Sequence, residues 1–271
     1  MTDDSLELDL LGTRFSIEMP GGRWSAFLRE LWHEFEAPPA SAPREVRVQE
    51  EDGRAMLTLP DHPALPFDDP WQLVEVLRYS IVEQAVERAE ALIAFHAAAL
   101  TKGGAGILCA GPSGAGKTTL AIALAHAGWA LAGDDIAPID AETGLVRPFP
   151  KPLSIRRPEL WPGPSPWAGR WPPPRGGPML VPADHFARQR EPFRPGNLLF
   201  IEYAPDEAPE DAPIPPGRAA ATSIEYVRPG GPAAVTTLAR LCRAAPAARL
   251  RYRNSDEAVE MIEELMANRQ K

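Results

Sequence analysis

The chain of 271 residues carries 37 acidic against 28 Lys and Arg side chains, a formal charge of −9. That balance offers no positive field to gather nucleic acid or an anionic membrane surface, so neither is expected as a partner. No run approaches the ~18 apolar residues of a membrane span, and the N-terminal MTDDSLELDL lacks the basic and apolar regions of a signal peptide, so the expected location is cytoplasmic.

The length suits two small domains. From Leu6 to Pro60 the strand-like LELDLLGTRFSIEM precedes an amphipathic WSAFLRELWHEF, followed by two alternating stretches, REVRVQEE and RAMLTL, around an Asp52-Gly53 turn. This is expected to be a small α+β module over 1–69, bounded by the loop DHPALPFDDP. Apolar residues from Leu73 to Leu92 fall at helical spacing and predict a long helix over Trp71–Ala94, opening a second domain over 70–271.

HAAAL and AGILCA, joined by TKGG, predict a strand hairpin whose second arm feeds GPSGAGKTTL. The helix KTTLAIALAHA should stop at Gly128, and the strand WALAG should deliver Asp134 and Asp135 to its end. From Arg147 to Pro232 prolines crowd the chain, so helix is not expected there. Within it, WPGPSPWAGRWPPPRGGP is either an irregular surface loop or a flap with aromatic anchors for a substrate. NLLFIEY is expected as a core strand, AAVTTLARLCRA as a helix, ARLRYR as a strand, and NSDEAVEMIEELMANR as a closing helix with Asn254 as cap and Glu257 completing a capping box. Cys109 and Cys242 lack metal spacing and are expected in the core.

GPSGAGKTTL fits G-x-x-x-x-G-K-[ST], with Gly111, Gly116, Lys117 and Thr118 in place between a strand and a helix. Small residues, here Gly111, Ser113, Gly114, Ala115 and Gly116, let backbone N–H groups face phosphates, and the helix that begins with Lys117, Thr118 and Thr119 adds the positive end of its dipole. Lys117 can neutralise the β and γ phosphates of a nucleotide such as ATP, and Thr118 can offer its hydroxyl to Mg²⁺. The paired carboxylates of GDD either hold the metal and take a proton or merely make a turn. His96 at the head of a strand is by itself more often an edge or core residue.

Together, FHAAAL, the hairpin into GPSGAGKTTL and LAGDDIAPID resemble the catalytic domain of the HPr kinase/phosphorylase family, whose nucleotide site is related to that of phosphoenolpyruvate carboxykinase. The spacing from His96 to Lys117 and from Lys117 to Asp134 agrees with that family, and the resemblance covers about Leu92 to Ile139. RPFPKPLSIRRPEL is similar to a segment of shorter HPr-kinase-like proteins found among bacterial peptide-modification systems, and FRPGNLLFIEY to the family's later strand preceded by a basic loop. The chain departs from the family at Ser154, Arg156 and Arg157, where the family has an acidic residue and then arginine-glycine, and its N-terminal module does not look like the family's regulatory domain.

The resemblance implies an α/β (α+β) P-loop kinase domain and ATP with Mg²⁺. It implies Lys117 and Thr118 at the phosphates and metal, Asp134 as general base, Asp135 on the metal side, His96 near the reacting phosphate and Arg194 as a phosphate partner. It also raises the expectation of a homo-oligomer. The activity expected is a serine kinase acting on a peptide or small protein. A kinase for a small hydroxylated metabolite and a nucleotide-binding regulatory protein without transfer stay open as alternatives.

Overall fold

Strict alternation in the first two strands fixes one face as core: Leu6, Leu8 and Leu10, and Phe15, Ile17 and Met19, are all fully buried. The computed structural model describes residues 3–158, 161, 165–171, 178–228 and 230–268. Residues 162–164 and 172–177 of the tryptophan-rich run, and Arg269 at the end of the expected closing helix, lie outside them.

The chain starts with β1 (Asp3–Leu10), β2 (Thr13–Pro20), α1 (Arg23–Trp32), β3 (Arg44–Glu51), β4 (Arg54–Thr58), β5 (Leu65–Phe67) and α2 (Pro70–Arg88). It continues with β6 (Leu92–Phe95), β7 (Ala97–Lys102), β8 (Ala105–Ala110), α3 (Lys117–His126), β9 (Ala130–Gly133) and β10 (Ala137–Asp140). Two short strands follow, β11 (Leu153–Ile155) and β12 (Met179–Val181). The last elements are β13 (Asn197–Tyr203), β14 (Glu210–Ile214), α4 (Pro216–Ser223), β15 (Val227–Arg228), α5 (Pro232–Ala244), β16 (Ala247–Tyr252) and α6 (Ser255–Asn268).

Two compact units emerge, Met1–Ala89 with Lys151–Pro182, and Glu90–Pro150 with Ala183–Lys271. This geometric division differs from the 69/70 boundary read from the sequence, because α2 buries Trp71, Leu73, Val74 and Leu77 and packs on β2 and β4. Among the described residues, no helix is long and apolar enough to cross a membrane.

In the first unit the sheet order is β1-β2-β3-β4-β5, with β2 and β3 parallel and α1 as the crossover between them. Helix α1 turns Trp24, Phe27, Leu28, Leu31 and Trp32 inward at helical spacing. Helix α2 starts on a cap, the Asp69 carboxylate accepting from the Trp71 N–H at 3.0 Å with Pro70 in the first turn. It ends at Arg88, short of the expected Ala94. Leu92–Phe95 is buried at every position and pairs with two strands, so its sheet partners override the helical spacing.

The described tryptophans of the proline-rich run do not lie on the surface, against the reading of the run as a surface loop. Trp161, Trp167 and Trp171 are buried, Phe27 stacks on Trp171 at 4.1 Å, and the Trp167 Nε1–H donates to the Leu180 carbonyl at 2.6 Å. The rule against helix between Arg147 and Pro232 also fails at α4. That helix opens on Pro216, where a missing N–H costs nothing, and continues through GRAAATS.

The second unit carries a six-stranded sheet, β14-β16-β13-β8-β7-β9, and a three-stranded sheet, β10-β6-β15. Strands β8, β13 and β16 are parallel, and β7 runs antiparallel to both β8 and β9, so β8, β9, β13 and β16 all point the same way. The β7–β8 hairpin closes as expected, with Lys102 opposite Ala105 and Gly103 and Gly104 at φ 58° and 83°, a turn that glycine accommodates without strain. Helix α3 stops where expected, with Gly128 left-handed at φ 87°. At α6 the Asn254 side chain accepts from the Glu257 N–H at 2.9 Å. Glu257 reaches back past the cap to the Arg253 N–H at 2.8 Å, a displaced version of the box.

Candidate functional site

The glycine loop lies wholly in the second unit, at the C-terminal end of β8. Two glycines are required by close approach. A Cβ on Gly111 would stand 2.9 Å from the Ile201 carbonyl oxygen, and one on Gly116 2.7 Å from the Tyr252 hydroxyl. Gly116 caps α3 in the left-handed conformation (φ 86°) and offers no side-chain cap, and the first-turn amides of a helix have no acceptor within it. Gly114 is left-handed as well, at φ 89°. Ser113 and Thr119 are exposed on the rim, and Ala115 is buried with its N–H bonded to the Pro112 carbonyl at 3.1 Å.

Lys117 folds back over its own loop: Nζ donates to the carbonyls of Gly111 at 2.8 Å and Pro112 at 3.0 Å, and the residue is only 6% exposed. From the other side the Tyr252 hydroxyl donates to the Ala115 carbonyl at 3.0 Å. Burial raises the Tyr252 phenol above its ordinary range, so it stays a donor. Sequence reasoning missed Tyr252, because nothing local says that the last residue of β16 reaches a loop so far away in the chain. Beneath the loop Cys109 is a core residue, as expected, its thiol pushed up to about 12 by burial.

The partners of the loop arrive by a shared route. The chain steps from the three-stranded to the six-stranded sheet at His96, between β6 and β7, and steps back between β9 and β10 at Asp134-Asp135-Ile136. Phe95 faces Ala137 across one sheet and Ala99 faces Gly133 across the other, so the two crossings lie side by side. At Gly133 a Cβ would meet the Ile136 carbonyl oxygen at 2.8 Å, so only glycine allows the turn to close. Asp135 takes the left-handed conformation there (φ 71°), which aspartate tolerates better than most residues.

That turn separates the two aspartates. Asp134 is 2% exposed, and its Oδ2 accepts from the Thr118 hydroxyl at 3.0 Å. Asp135 is 43% exposed at its side chain and meets His96, whose Nδ1 lies 2.9 Å from the Asp135 carbonyl oxygen and 3.2 Å from its carboxylate. Both neighbours of Nδ1 are acceptors, so that nitrogen carries the proton. The His96 N–H is itself anchored to the Tyr226 carbonyl at 2.6 Å.

The residues present suit a nucleoside triphosphate with Mg²⁺. The loop forms a cradle that side chains at Gly111 and Gly116 would fill, and Thr118 and Asp134 present a hydroxyl and a carboxylate, hard oxygen donors of the kind Mg²⁺ takes alongside phosphate oxygens.

Arg194 does not join this group. Its carbonyl oxygen stands 3.2 Å from where a Cβ on Gly106 would be, and its guanidinium donates to the Thr143 carbonyl at 3.4 Å. Gly106 is near the start of β8 and Gly111 just past its end, roughly 17 Å of strand apart at ~3.3 Å per residue. Ser154, Arg156 and Arg157 belong to the first unit, where the Ser154 hydroxyl donates to Glu75 at 3.1 Å.

No protein-family model matches the chain, and no curated protein does either. Among solved structures, the HPr(Ser) kinase/phosphatase from Coxiella burnetii is similar at a TM-score of 0.38 and 14% identity, over 65% of this chain and 95% of that one.

Proposed function

We propose that the second unit is an ATP- and Mg²⁺-dependent phosphotransferase acting on a hydroxyl group, with a serine of a peptide or small protein as the acceptor. The observation that carries the reading is the Thr118–Asp134 hydrogen bond at the mouth of the glycine loop, beside the His96–Asp135 pair. A loop that only holds an anion has no use for two carboxylates at that position, whereas phosphoryl transfer needs one group to hold the metal and another to receive the proton. The choice of serine rests on the sequence resemblance around FHAAAL, GPSGAGKTTL and LAGDDIAPID.

In this reading the backbone of Gly111, Ser113, Gly114, Ala115 and Gly116, with the first turn at Thr118 and Thr119, wraps the phosphates. Lys117 exchanges its two carbonyl partners for phosphate oxygens. Thr118 and Asp134 hold Mg²⁺, which when bound offsets charge on the phosphates. The aspartates therefore exchange the roles that the sequence resemblance implies. Buried Asp134 serves the metal side, and accessible Asp135, steadied by the Nδ1–H of His96, receives the proton. The acceptor oxygen forms its bond to the terminal phosphorus as the bond from that phosphorus to the bridging oxygen breaks. ADP leaves, and the hydroxyl proton passes to Asp135.

The test is to incubate the protein with ATP, Mg²⁺ and serine-containing peptides, following ADP release and peptide mass. Lys117→Ala is expected to lose calorimetric ATP binding together with transfer. Asp135→Asn should lower transfer by roughly 10²- to 10⁴-fold at any Mg²⁺ concentration. Asp134→Asn should instead raise the Mg²⁺ needed for half-maximal rate. Recovery of the Asp135 variant at high Mg²⁺ would reverse the two assignments, and ATP binding that survives Lys117→Ala would remove the site.

A further inference from the structure

The glycine loop has two flanks, and they differ in chemistry. Towards β7 and β9 lie His96, Asp134 and Asp135. Towards β13 and β16 the strands end side by side in Tyr203 and Tyr252, opposite each other in parallel register. The two tyrosines differ sharply. Tyr252 is 2% exposed and bonded to the loop at Ala115. Tyr203 leaves 51% of its surface to solvent, although its Cβ lies only 3.7 Å from where a Cβ on Gly116 would stand. The rings are 6.0 Å apart and inclined at 51°. A half-exposed aromatic side chain thus stands beside the loop, next to a second ring that is fixed to the loop itself.

A nucleoside triphosphate is a long ligand with two unlike ends. If its terminal phosphate meets Thr118, Asp134 and the His96–Asp135 pair on one flank, its nucleoside leaves the loop on the side away from them, where β13 and β16 end. We propose that Tyr203 is the stacking platform for the base of the bound nucleotide. The inference rests on the reading of the glycine loop as a triphosphate site, and it adds what gives that site a preference for nucleotides over bare polyphosphate. A purine offers more ring area to such a platform than a pyrimidine does, so ATP and GTP are favoured over CTP and UTP.

Calorimetric titration with Mg²⁺ and three probes, ATP, CTP and inorganic tripolyphosphate, separates the two ideas. The wild-type protein is expected to bind ATP more tightly than CTP, and both more tightly than tripolyphosphate. Tyr203→Ala should weaken ATP binding by about tenfold or more and leave tripolyphosphate unchanged, while Tyr203→Trp keeps the ATP affinity. Unchanged tripolyphosphate binding also reports that the variant is folded. The platform is refuted if Tyr203→Ala weakens both ligands equally, if it leaves ATP untouched, or if the wild type holds tripolyphosphate as tightly as ATP. In each of those cases the phosphate site still stands. A wild type that binds none of the three removes the site and the platform together.

Discussion

In the first unit Phe27 is surrounded by rings: Trp171 stacks on it at 4.1 Å, Trp167 lies at 4.5 Å, and Trp71 meets it edge-on at 5.5 Å. In the second, alanines recur where strands β7, β8, β9 and β10 pack, with Ala97, Ala98, Ala99, Ala110, Ala132 and Ala137 all at or near zero exposure. The difference follows from what each core joins. Wide aromatic faces tolerate imperfect alignment, so they can join α1 and α2 to a segment that returns from far along the chain. Methyl groups let backbones approach closely, and close approach sets the strand ends accurately enough for Thr118 to meet Asp134 and His96 to meet Asp135.

The comparison predicts that the two units fail under opposite substitutions. The largest effect is expected from truncation in the first: Trp167→Ala should cost about 3–5 kcal/mol, since it opens a cavity and strips the Leu180 carbonyl of its donor, and a urea midpoint would report it. Trp167→Phe keeps part of the ring and loses only the donor, so it should fall clearly short of that loss. In the second unit enlargement is the damaging change. Ala99→Leu should cost about 1–3 kcal/mol by overpacking, whereas Ala99→Gly should cost less. If Ala99→Leu proves neutral, the alanines are not there for close approach.

A smaller effect sharpens the contrast at the turn after β10. The Asp140 carboxyl is held down to about 2, first by the Thr143 N–H and then by Arg147, from an ordinary value of 3.8. A depressed carboxylate adds stability that is fully present above its unfolded value and is lost as pH falls through the folded one. The melting temperature of the wild type should therefore drop between about pH 4 and pH 2 more steeply than that of Asp140→Asn. Parallel curves for the two proteins in that window would assign the turn's stability to shape alone.

How much of this was legible in the sequence depends on the range of the cause. The glycine loop, the Gly103-Gly104 hairpin, the strand Asn197–Tyr203 and the stop of α3 at Gly128 follow from neighbours in the chain, and they fall where the pattern puts them. Leu92–Phe95 looked helical because its spacing continues that of α2, and only pairing with β10 and β15 makes it a strand. For the proline-rich run the sequence leaves a surface loop and a flap both open, because the partner that buries Trp167 and Trp171, Phe27, is far away in the chain. At the site, GDD announces two carboxylates, and the resemblance sets Asp135 on the metal side with Thr118, whereas the Thr118 hydroxyl meets Asp134. That depends on the left-handed Asp135 and on the two sheet crossings lying side by side, neither of which composition encodes. Arg194 illustrates the converse, a residue placed by motif order at a loop that strand direction keeps at the far end.

The six-stranded sheet has two borders, and they are closed to newcomers by different means. Along β9 the backbone is already engaged, Leu131 bridging to Arg188 and Gly133 to Phe149. Along β14 the sequence EDAPI places two acidic side chains and a proline on the outermost strand, and a proline is tolerated there only where its missing N–H points away from the sheet. A foreign strand docking on that border would find a donor absent and charge to desolvate. This sheet is thereby guarded against edge-to-edge aggregation along both of its borders.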